Sequence, residues 1–257
     1  MDMRLLGRTG LSISPVVFGG NVFGWTLDEA ASHRLLDRMV EGGITTIDTA
    51  DVYSRWVPGH QGGESETLIG NWLAARPDKR DKVQIFTKVG MDMGDGNTGL
   101  SPRWIREEVE NSLSRLKTDY IDLYFSHRFD EDTPQAETLG VYKDLLDEGK
   151  IRSIGASNFD EGQLEDALKI AETEGLPAYQ VLQPEYSLVS RASFEGPLQR
   201  LCIDKNIGVV TYFSLASGFL SGKYRSLDDL QGQARGGMAK KYIENGGLQV
   251  LEAMDDI

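Results

Sequence analysis

Several residue types that build sites in other proteins are scarce in this chain of 257 residues. Its single cysteine, Cys202, excludes an internal disulfide framework and a cysteine metal cluster. The three histidines stand far apart, at positions 33, 60 and 127, so we expect no metal site. Lysine and arginine number 27 against 40 aspartates and glutamates, and the net charge of −13 argues against a nucleic-acid partner because phosphates would be repelled.

Long apolar runs are missing as well. MDMRLLGRTG at the start has no apolar stretch of signal-peptide length, and no later run approaches the about 20 residues of a membrane-spanning helix. Hydrophobic residues make up 40% and charged residues 26% of the chain, as in ordinary globular proteins. We therefore expect a cytoplasmic protein without a membrane partner, with a full-sized core in one domain over residues 1–257.

What the sequence does contain is an alternation of short β-branched runs and longer amphipathic segments. The apolar runs predict strands at 16–20, 45–50, 83–89, 120–127, 151–157, 179–185 and 208–214. The patterns between and after them predict helices at about 28–41, 64–76, 134–148, 160–174 and 193–205, and from Ser101 and Gly237 onwards. Strands that are apolar on both faces and alternate with helices indicate a parallel sheet covered by helices.

Two architectures fit this alternation: an open doubly wound sheet and a (β/α)8 barrel. The open dinucleotide-binding sheet has G-x-G-x-x-G directly after its first strand, and GGNVFG at 19–24 does not fit. The regular spacing therefore predicts an α/β fold of the (β/α)8 TIM-barrel type. MRLLGRTGLSIS at 3–14 predicts an N-terminal β-hairpin that plugs the bottom of the barrel.

Only seven strands can be identified, and the eighth is missing. After the seventh strand come a glycine-rich loop and a helical pattern in which Leu248, Leu251 and Met254 share a face. An open barrel would expose two parallel strand edges, which favours aggregation. We therefore expect a truncated form of a longer protein. A strand supplied by another chain is the alternative, and a homo-oligomer stays open.

Polar side chains stand where the predicted strands end, at the barrel face that carries reactive groups in this fold. Asp48 closes the second strand and Lys88 the third, and Tyr53 lies in the loop beyond Asp48. His127 closes the fourth strand. A free tyrosine titrates near ~10, and a neighbouring lysine lowers that pKa by favouring the phenolate. Asp48 can keep Lys88 charged, and His127 can hydrogen-bond a substrate oxygen. The set predicts carbonyl reduction, in which a cofactor supplies the hydride.

Each of these residues alone has a plainer interpretation. An Asp-x4-Tyr pair arises by chance, and a lysine or histidine at a strand end is usually solvated or capping. Their common position on consecutive strands favours catalysis. We interpret His33, on an amphipathic helix, and His60, in a glycine-rich loop, as structural or solvated. GFLSGK at 218–223 is not a phosphate-binding P-loop, because three residues rather than four separate its glycines and Tyr224 follows the lysine.

Seven segments in fixed order resemble the aldo-keto reductase family over nearly the whole chain. They are IDTADVYS (47–54), GESETLIG (63–70), IFTKVG (85–90), YIDLYFSH (120–127), GKIRSIGASNF (149–159), QPEYSLVSR (183–191) and YFSLASGFLSGKY (212–224). The resemblance implies a (β/α)8 barrel that binds NADPH (NADP+) in an extended conformation and reduces a small carbonyl substrate. It also implies that Asp48, Tyr53, Lys88 and His127 are a catalytic tetrad with Tyr53 as the general acid.

The same resemblance assigns cofactor positions. Ser157, Asn158 and Gln183 match residues near the nicotinamide carboxamide, and Tyr212 matches the aromatic that stacks on the ring. The loop up to Gly218 matches the one whose amides approach the pyrophosphate. The full predicted cofactor-binding set is Asn21, Asp48, Ser157, Asn158, Gln183, Tyr212, Phe213, Ser214, Leu215, Ser217, Gly218 and Lys223.

The chain departs from the family in two places. It has Tyr-Phe-Ser-Leu where the family has Tyr-Ser-Pro-Leu after the seventh strand, and nothing matches the later segment that binds the adenosine 2′-phosphate. The preference for NADPH over NADH is therefore implied by the resemblance alone. A 257-residue form that lacks this segment could be inactive.

Trp25, Trp56 and Phe129 are candidates for the substrate pocket, although ordinary loop packing explains them equally well. The alternative function is a cofactor-sensing regulatory subunit. The potassium-channel β subunits resemble the same reductases and keep the tetrad, so the tetrad alone does not exclude this role.

Overall fold

The computed structural model describes residues 2–256, which form two compact units. The first unit is the described part of Met1–Gln183 together with Leu201–Val210, and the second is the described part of Pro184–Arg200 and Thr211–Ile257. The single domain expected over 1–257 stays a prediction. No helix within residues 2–256 is both long enough and apolar enough to cross a membrane.

The first unit contains a two-stranded hairpin and a seven-stranded parallel sheet. The hairpin pairs β1 (Arg4–Leu5) with β2 (Ser12–Ile13) in antiparallel register. The sheet runs in chain order through β3 (Val17–Gly19), β4 (Thr46–Asp48), β5 (Gln84–Val89), β6 (Leu123–Ser126), β7 (Ile154–Ser157), β8 (Val181–Gln183) and β9 (Gly208–Val209). The predicted hairpin and the seven parallel strands of a (β/α)8 fold are confirmed, and no eighth strand joins this sheet within residues 2–256.

Helices follow the strands. They are α1 (Glu29–Glu41), α2 (Glu64–Ala74), α3 (Pro102–Leu116), α4 (Gln135–Asp147), α5 (Glu161–Glu174), α6 (Pro197–Asp204), α7 (Gly236–Glu244) and α8 (Gly247–Asp255). Side-chain caps fix several starts, because the Asp28, Ser101 and Asp160 oxygens accept backbone N–H groups of the first turns. The single helix expected after Gly237 is wrong: two helices form, since Gly246 adopts a left-handed φ of 81° between them.

The hairpin packs under the sheet. Leu6 and Ile13 are buried in one cluster with Phe86, Phe125 and Val210. The backbones also approach closely here, because a Cβ on Gly7 would lie 2.3 Å from the amide nitrogen of Gly208, the first residue of β9. The hairpin therefore lies at the amino end of the strands, and the carboxyl end is left for the predicted site.

The second unit has its own apolar cluster, in which Phe219, Tyr242 and Leu251 are buried and the rings of the first two stack at 5.7 Å. The seventh strand, expected to reach Ser214, is shorter: β9 ends at Val209. Phe213 has a left-handed φ of 55°, which interrupts extended backbone. Tyr212 makes only an isolated parallel bridge, with Glu185.

Candidate active site

Lys88 is a fully buried cation near the carboxyl end of β5. Its Nζ donates to Asp48 Oδ2 at 2.7 Å, to the Thr49 carbonyl at 2.7 Å and to Tyr53 Oη at 3.1 Å. Three acceptors match the three donors of an ammonium group. Burial by itself lowers the pKa of Lys88, but its interactions with Asp48 and Tyr53 outweigh it, and the pKa lies above its usual value. Lys88 is therefore charged at neutral pH.

The turn after β4 brings Tyr53 back over Lys88. The amide of Asp51 donates to the Lys88 carbonyl at 3.2 Å, so the chain still follows β5 beyond the end of β4. It then turns, since the amide of Tyr53 donates to the Ala50 carbonyl at 3.2 Å. As a result Lys88 Nζ lies 4.8 Å from the centre of the Tyr53 ring.

The sequence predicts a lowered pKa for Tyr53, whereas the structure gives a raised one. Burial raises this pKa, and the lowering by Lys88, which the sequence predicts, does not compensate for it. The pKa of Tyr53 thus lies above its usual value. Tyr53 keeps its proton at neutral pH and holds it next to a cation that would stabilise the phenolate.

His127 directly follows β6, and its ring lies 6.1 Å from the ring of Tyr53. Its amide donates to the Val89 carbonyl at 2.8 Å, and its carbonyl accepts from Asn158 Nδ2 at 2.9 Å. Within residues 2–256 its Nδ1 has no hydrogen-bond partner. Burial, followed by the charges of Lys88 and Arg128, holds the pKa of His127 well below its usual value. The ring is therefore a neutral hydrogen-bonding group.

This lowered pKa predicts a pH dependence of stability. Below about pH 6.5 the unfolded chain binds a proton at His127 that the folded chain does not, so the free energy of unfolding falls as pH falls. This contribution of His127 amounts to at most about 1.4 kcal/mol per pH unit below about pH 6.5, and we expect it to be absent in His127→Asn. Urea unfolding of both proteins between about pH 7.5 and 5.5 measures it. Equal slopes for the two proteins would contradict it.

Two predicted cofactor residues, Gln183 and Asn158, bond members of the predicted tetrad, and a third, Ser157, bonds Gln183. Gln183 Nε2 donates to Asp48 Oδ1 at 3.0 Å, and Ser157 Oγ donates to the Gln183 carbonyl at 2.9 Å. Asn158, with a left-handed φ of 57°, bonds the His127 carbonyl through its amide. The ends of β7 and β8 therefore border the group around Lys88. Asn21 lies in a single 3-10 turn, Gly20–Val22, directly after β3.

The aromatic candidates divide into two groups. Trp56 is 48% exposed, and its ring lies 6.1 Å from the Tyr53 ring and 5.6 Å from the Trp25 ring. Phe129 instead packs edge-on against Phe159 at 5.5 Å. Trp56 thus contacts the Tyr53 ring and Trp25 packs against Trp56, whereas the ring contact of Phe129 is with Phe159.

The remaining cofactor candidates lie on a loop of the second unit. Phe213, Ala216 and Ser217 all have positive φ angles, of 55°, 48° and 57°. Strain of this kind in non-glycine residues concentrates at functional sites. Leu215, near the right-handed region, is followed by left-handed Ala216, an order of conformations also found in anion-binding loops. Here the Ala216 amide donates to the Phe213 carbonyl at 2.6 Å. Lys223 adds a cation, since its Nζ would lie 3.3 Å from a Cβ on Gly218.

Sequence reasoning missed buried groups beside Lys88 and Tyr53. Thr49, Ser54 and Ser65 are fully buried hydroxyl residues, and no spacing distinguishes them from surface serines and threonines. Asp51 is fully buried too, and its Oδ2 has no hydrogen-bond partner among the described residues. Burial, with the charges of Glu66 and Glu108, raises the pKa of Asp51 well above its usual value.

The chain is similar to known proteins. The model of the Aldo/keto reductase family matches residues 15–254. An uncharacterized oxidoreductase, YrpG of Bacillus subtilis (strain 168), is 37% identical over 229 residues, which cover 87% of this chain and 69% of that protein. The aldo-keto reductase dtxS3 of Metarhizium robertsii is 34% identical over 251 residues, covering 86% of this chain and 66% of the relative.

A probable voltage-gated potassium channel subunit beta of Oryza sativa subsp. japonica is 33% identical over 226 residues, which cover 87% of this chain and 67% of that protein. The chain thus spans about two thirds of the length of these three relatives.

Proposed function

Because the chain belongs to the aldo/keto reductase family, whose members are generally NAD(P)H-dependent oxidoreductases, we propose that it reduces small aldehydes or ketones to alcohols with NADPH. The observation that carries the proposal is the contact of charged Lys88 with both Tyr53 Oη and Asp48 Oδ2. It joins a protonated phenol, a cation that stabilises the phenolate and a carboxylate that keeps the cation charged.

Each side chain has one task in this reaction. NADPH would supply the hydride. Tyr53 donates its proton to the carbonyl oxygen as negative charge develops there, and Lys88 stabilises the phenolate that remains. The neutral imidazole of His127 orients the carbonyl oxygen. Trp56 and Trp25 form an aromatic wall beside Tyr53 for the apolar part of the substrate, and Phe129 is a weaker candidate for the same wall.

In each compact unit by itself, the predicted residues fit one part of such a cofactor. The carboxamide and hydroxyl groups of Ser157, Asn158 and Gln183 suit the nicotinamide carboxamide. The bond of Gln183 to Asp48 and that of Asn158 to His127 support the assignment, and Ser157 is joined to Gln183. The strained loop around Leu215 suits a pyrophosphate, because Lys223 brings a cation beside Gly218 on the same loop. Asn21, Tyr212, Phe213, Ser214, Ser217 and Gly218 complete the proposed set. The choice of NADPH over NADH rests on the family resemblance.

A second candidate function is a cofactor-sensing regulatory subunit, favoured by the similarity to the rice channel subunit. The two roles differ in turnover. We expect a reductase to oxidise many equivalents of NADPH per protein when an aldehyde or ketone is added, and a sensor to complete at most about one slow turnover.

The loss of NADPH absorbance, followed with a panel of aliphatic and aromatic aldehydes and ketones, tests the proposal. A reaction without carbonyl is the control, and a parallel series with NADH tests the cofactor choice. Fluorescence quenching measures NADPH binding separately. Binding without turnover would favour the sensor, and the absence of both would contradict both functions.

A further inference from the structure

Ser54, the residue after Tyr53, has a backbone that favours glycine. It is fully buried and its φ is 75°. A side chain with a Cβ adopts this region at an energetic cost, so the surroundings must hold it there.

A short side-chain hydrogen bond holds Ser54, in addition to the bond that its carbonyl accepts from the Val57 amide at 3.0 Å. Its Oγ donates to the Phe23 carbonyl at 2.6 Å, a contact between residues 31 positions apart. The segment it reaches is itself fixed, since Phe23 is fully buried and its amide donates to the Gly20 carbonyl at 3.0 Å. Gly24 lies beside this bond, and a Cβ there would lie 3.5 Å from Ser54 Oγ, at ordinary contact, and a tight 3.1 Å from Glu64 Cβ.

The same turn is connected to Lys88. Ser65 Oγ donates to the Gly20 carbonyl at 2.8 Å and also bonds Thr49 Oγ1 at 2.8 Å. The Thr49 carbonyl accepts the bond from Lys88 Nζ. A continuous series of buried contacts therefore runs from Lys88 through Thr49 and Ser65 to the turn at 20–23, and from there to Ser54.

We propose that Ser54 is a positioning residue, whose hydroxyl fixes the loop that holds Tyr53 Oη 3.1 Å from Lys88 Nζ. The inference rests on the proposed reductase function. The tyrosine is held from two sides, by Lys88 at its hydroxyl and by Ser54 at its backbone. Without the Ser54 hydroxyl the loop loses its bond to the Phe23 carbonyl, and the phenol moves away from the geometry that transfers its proton.

Ser54→Ala tests this, because it keeps the Cβ and the strained backbone and removes only the hydroxyl. We expect kcat to fall by about tenfold to a hundredfold, as for displacements below about 1 Å, with an unchanged KM and NADPH affinity. The solvent isotope effect on kcat should rise as proton transfer becomes slower. Ser32→Ala is the matched control, since Ser32 is also fully buried and donates its hydroxyl to a backbone carbonyl, that of Asp28, at 2.7 Å.

Hydrogen exchange tests the role of Ser54 without an activity measurement, and so independently of the proposed reductase function. The amides of Tyr53 and Arg55 donate to the carbonyls of Ala50 and Val52, so their hydrogen exchange reports on the loop. We expect faster exchange over residues 50–57 in Ser54→Ala and wild-type exchange in Ser32→Ala. A wild-type protein that binds NADPH without turnover would contradict the function, and exchange would still decide the role of Ser54.

Unchanged exchange and kcat in Ser54→Ala would overturn the inference while leaving the reductase in place. Should the alanine variant fail to fold, Ser54→Gly decides, because glycine accepts this φ without strain. It too lacks the hydroxyl, so we expect the same loss of kcat and the same faster exchange. A glycine variant with wild-type kcat would overturn the inference.

Discussion

Tyr53→Phe is expected to lower kcat for carbonyl reduction by about 10²–10⁴-fold, the usual contribution of a general acid, and to leave NADPH binding intact. The change removes only Oη, the atom that accepts a hydrogen bond from Lys88. The ring keeps its edge contacts with Trp56 and His127, so the site keeps its shape. Steady-state rates with an aldehyde give kcat, and a fluorescence titration gives the NADPH affinity.

Tyr120→Phe is the matched control. Tyr120 also has a cation against its ring, with the Arg80 guanidinium 3.7 Å from the ring centre, and its hydroxyl also contacts a carboxylate, that of Asp81, at 3.4 Å. It precedes β6 at the amino end of the strand, away from Tyr53, so we expect wild-type kcat. A Tyr53→Phe protein that retains more than about a tenth of the wild-type kcat would exclude Tyr53 as the acid.

The positions of the candidate catalytic groups could be predicted, because the last residues of parallel strands lie at one face of the sheet. Asp48 and Lys88 end or nearly end β4 and β5, and His127 follows β6, as their strands in the sequence predict. The net direction of the pKa of Tyr53 could not be predicted. It depends on how much protein covers the phenol, and an adjacent lysine suggests only the opposite effect.

Contacts between distant loops could not be predicted from the sequence either, because they too depend on which residues surround each other in the folded chain. The bond from Ser54 to the Phe23 carbonyl joins two loops, and neither a serine nor a phenylalanine at these positions predicts such a bond. Phe213 is of a residue type that usually favours strands, yet its backbone is left-handed, and β9 already ends at Val209. Sequence periodicity reports which face is buried, and says little about the individual bonds made there.

Buried ion pairs are a further feature without a sequence signal. Arg115 on α3 bonds Glu66 at 2.6 Å and also Glu108, and both carboxylates are almost fully buried. Burial lowers the pKa of Arg115, but the two carboxylates outweigh it and raise that pKa above its usual range. Glu66 in turn accepts a bond of 2.5 Å from Thr87, the neighbour of Lys88. The cluster therefore fixes the outer side of the strand that carries Lys88.

Arg115→Met is expected to lower the free energy of unfolding by about 3–5 kcal/mol, because it leaves two carboxylates buried without their cation. Arg106→Met is the matched control on the same helix. Arg106 also bridges two carboxylates, Asp144 and Glu148, but its side chain is 44% exposed, and such pairs contribute about 0–1 kcal/mol.

Urea unfolding of the two variants and the wild type measures the difference. A loss for Arg115→Met no larger than that for Arg106→Met would show that water reaches Glu66 and Glu108, and would contradict the burial of this cluster. A larger loss also predicts a secondary effect on catalysis. Because Thr87 loses a fixed partner, Lys88 is held less firmly, and kcat should fall under conditions where Arg115→Met is still folded, whereas Arg106→Met keeps the wild-type rate.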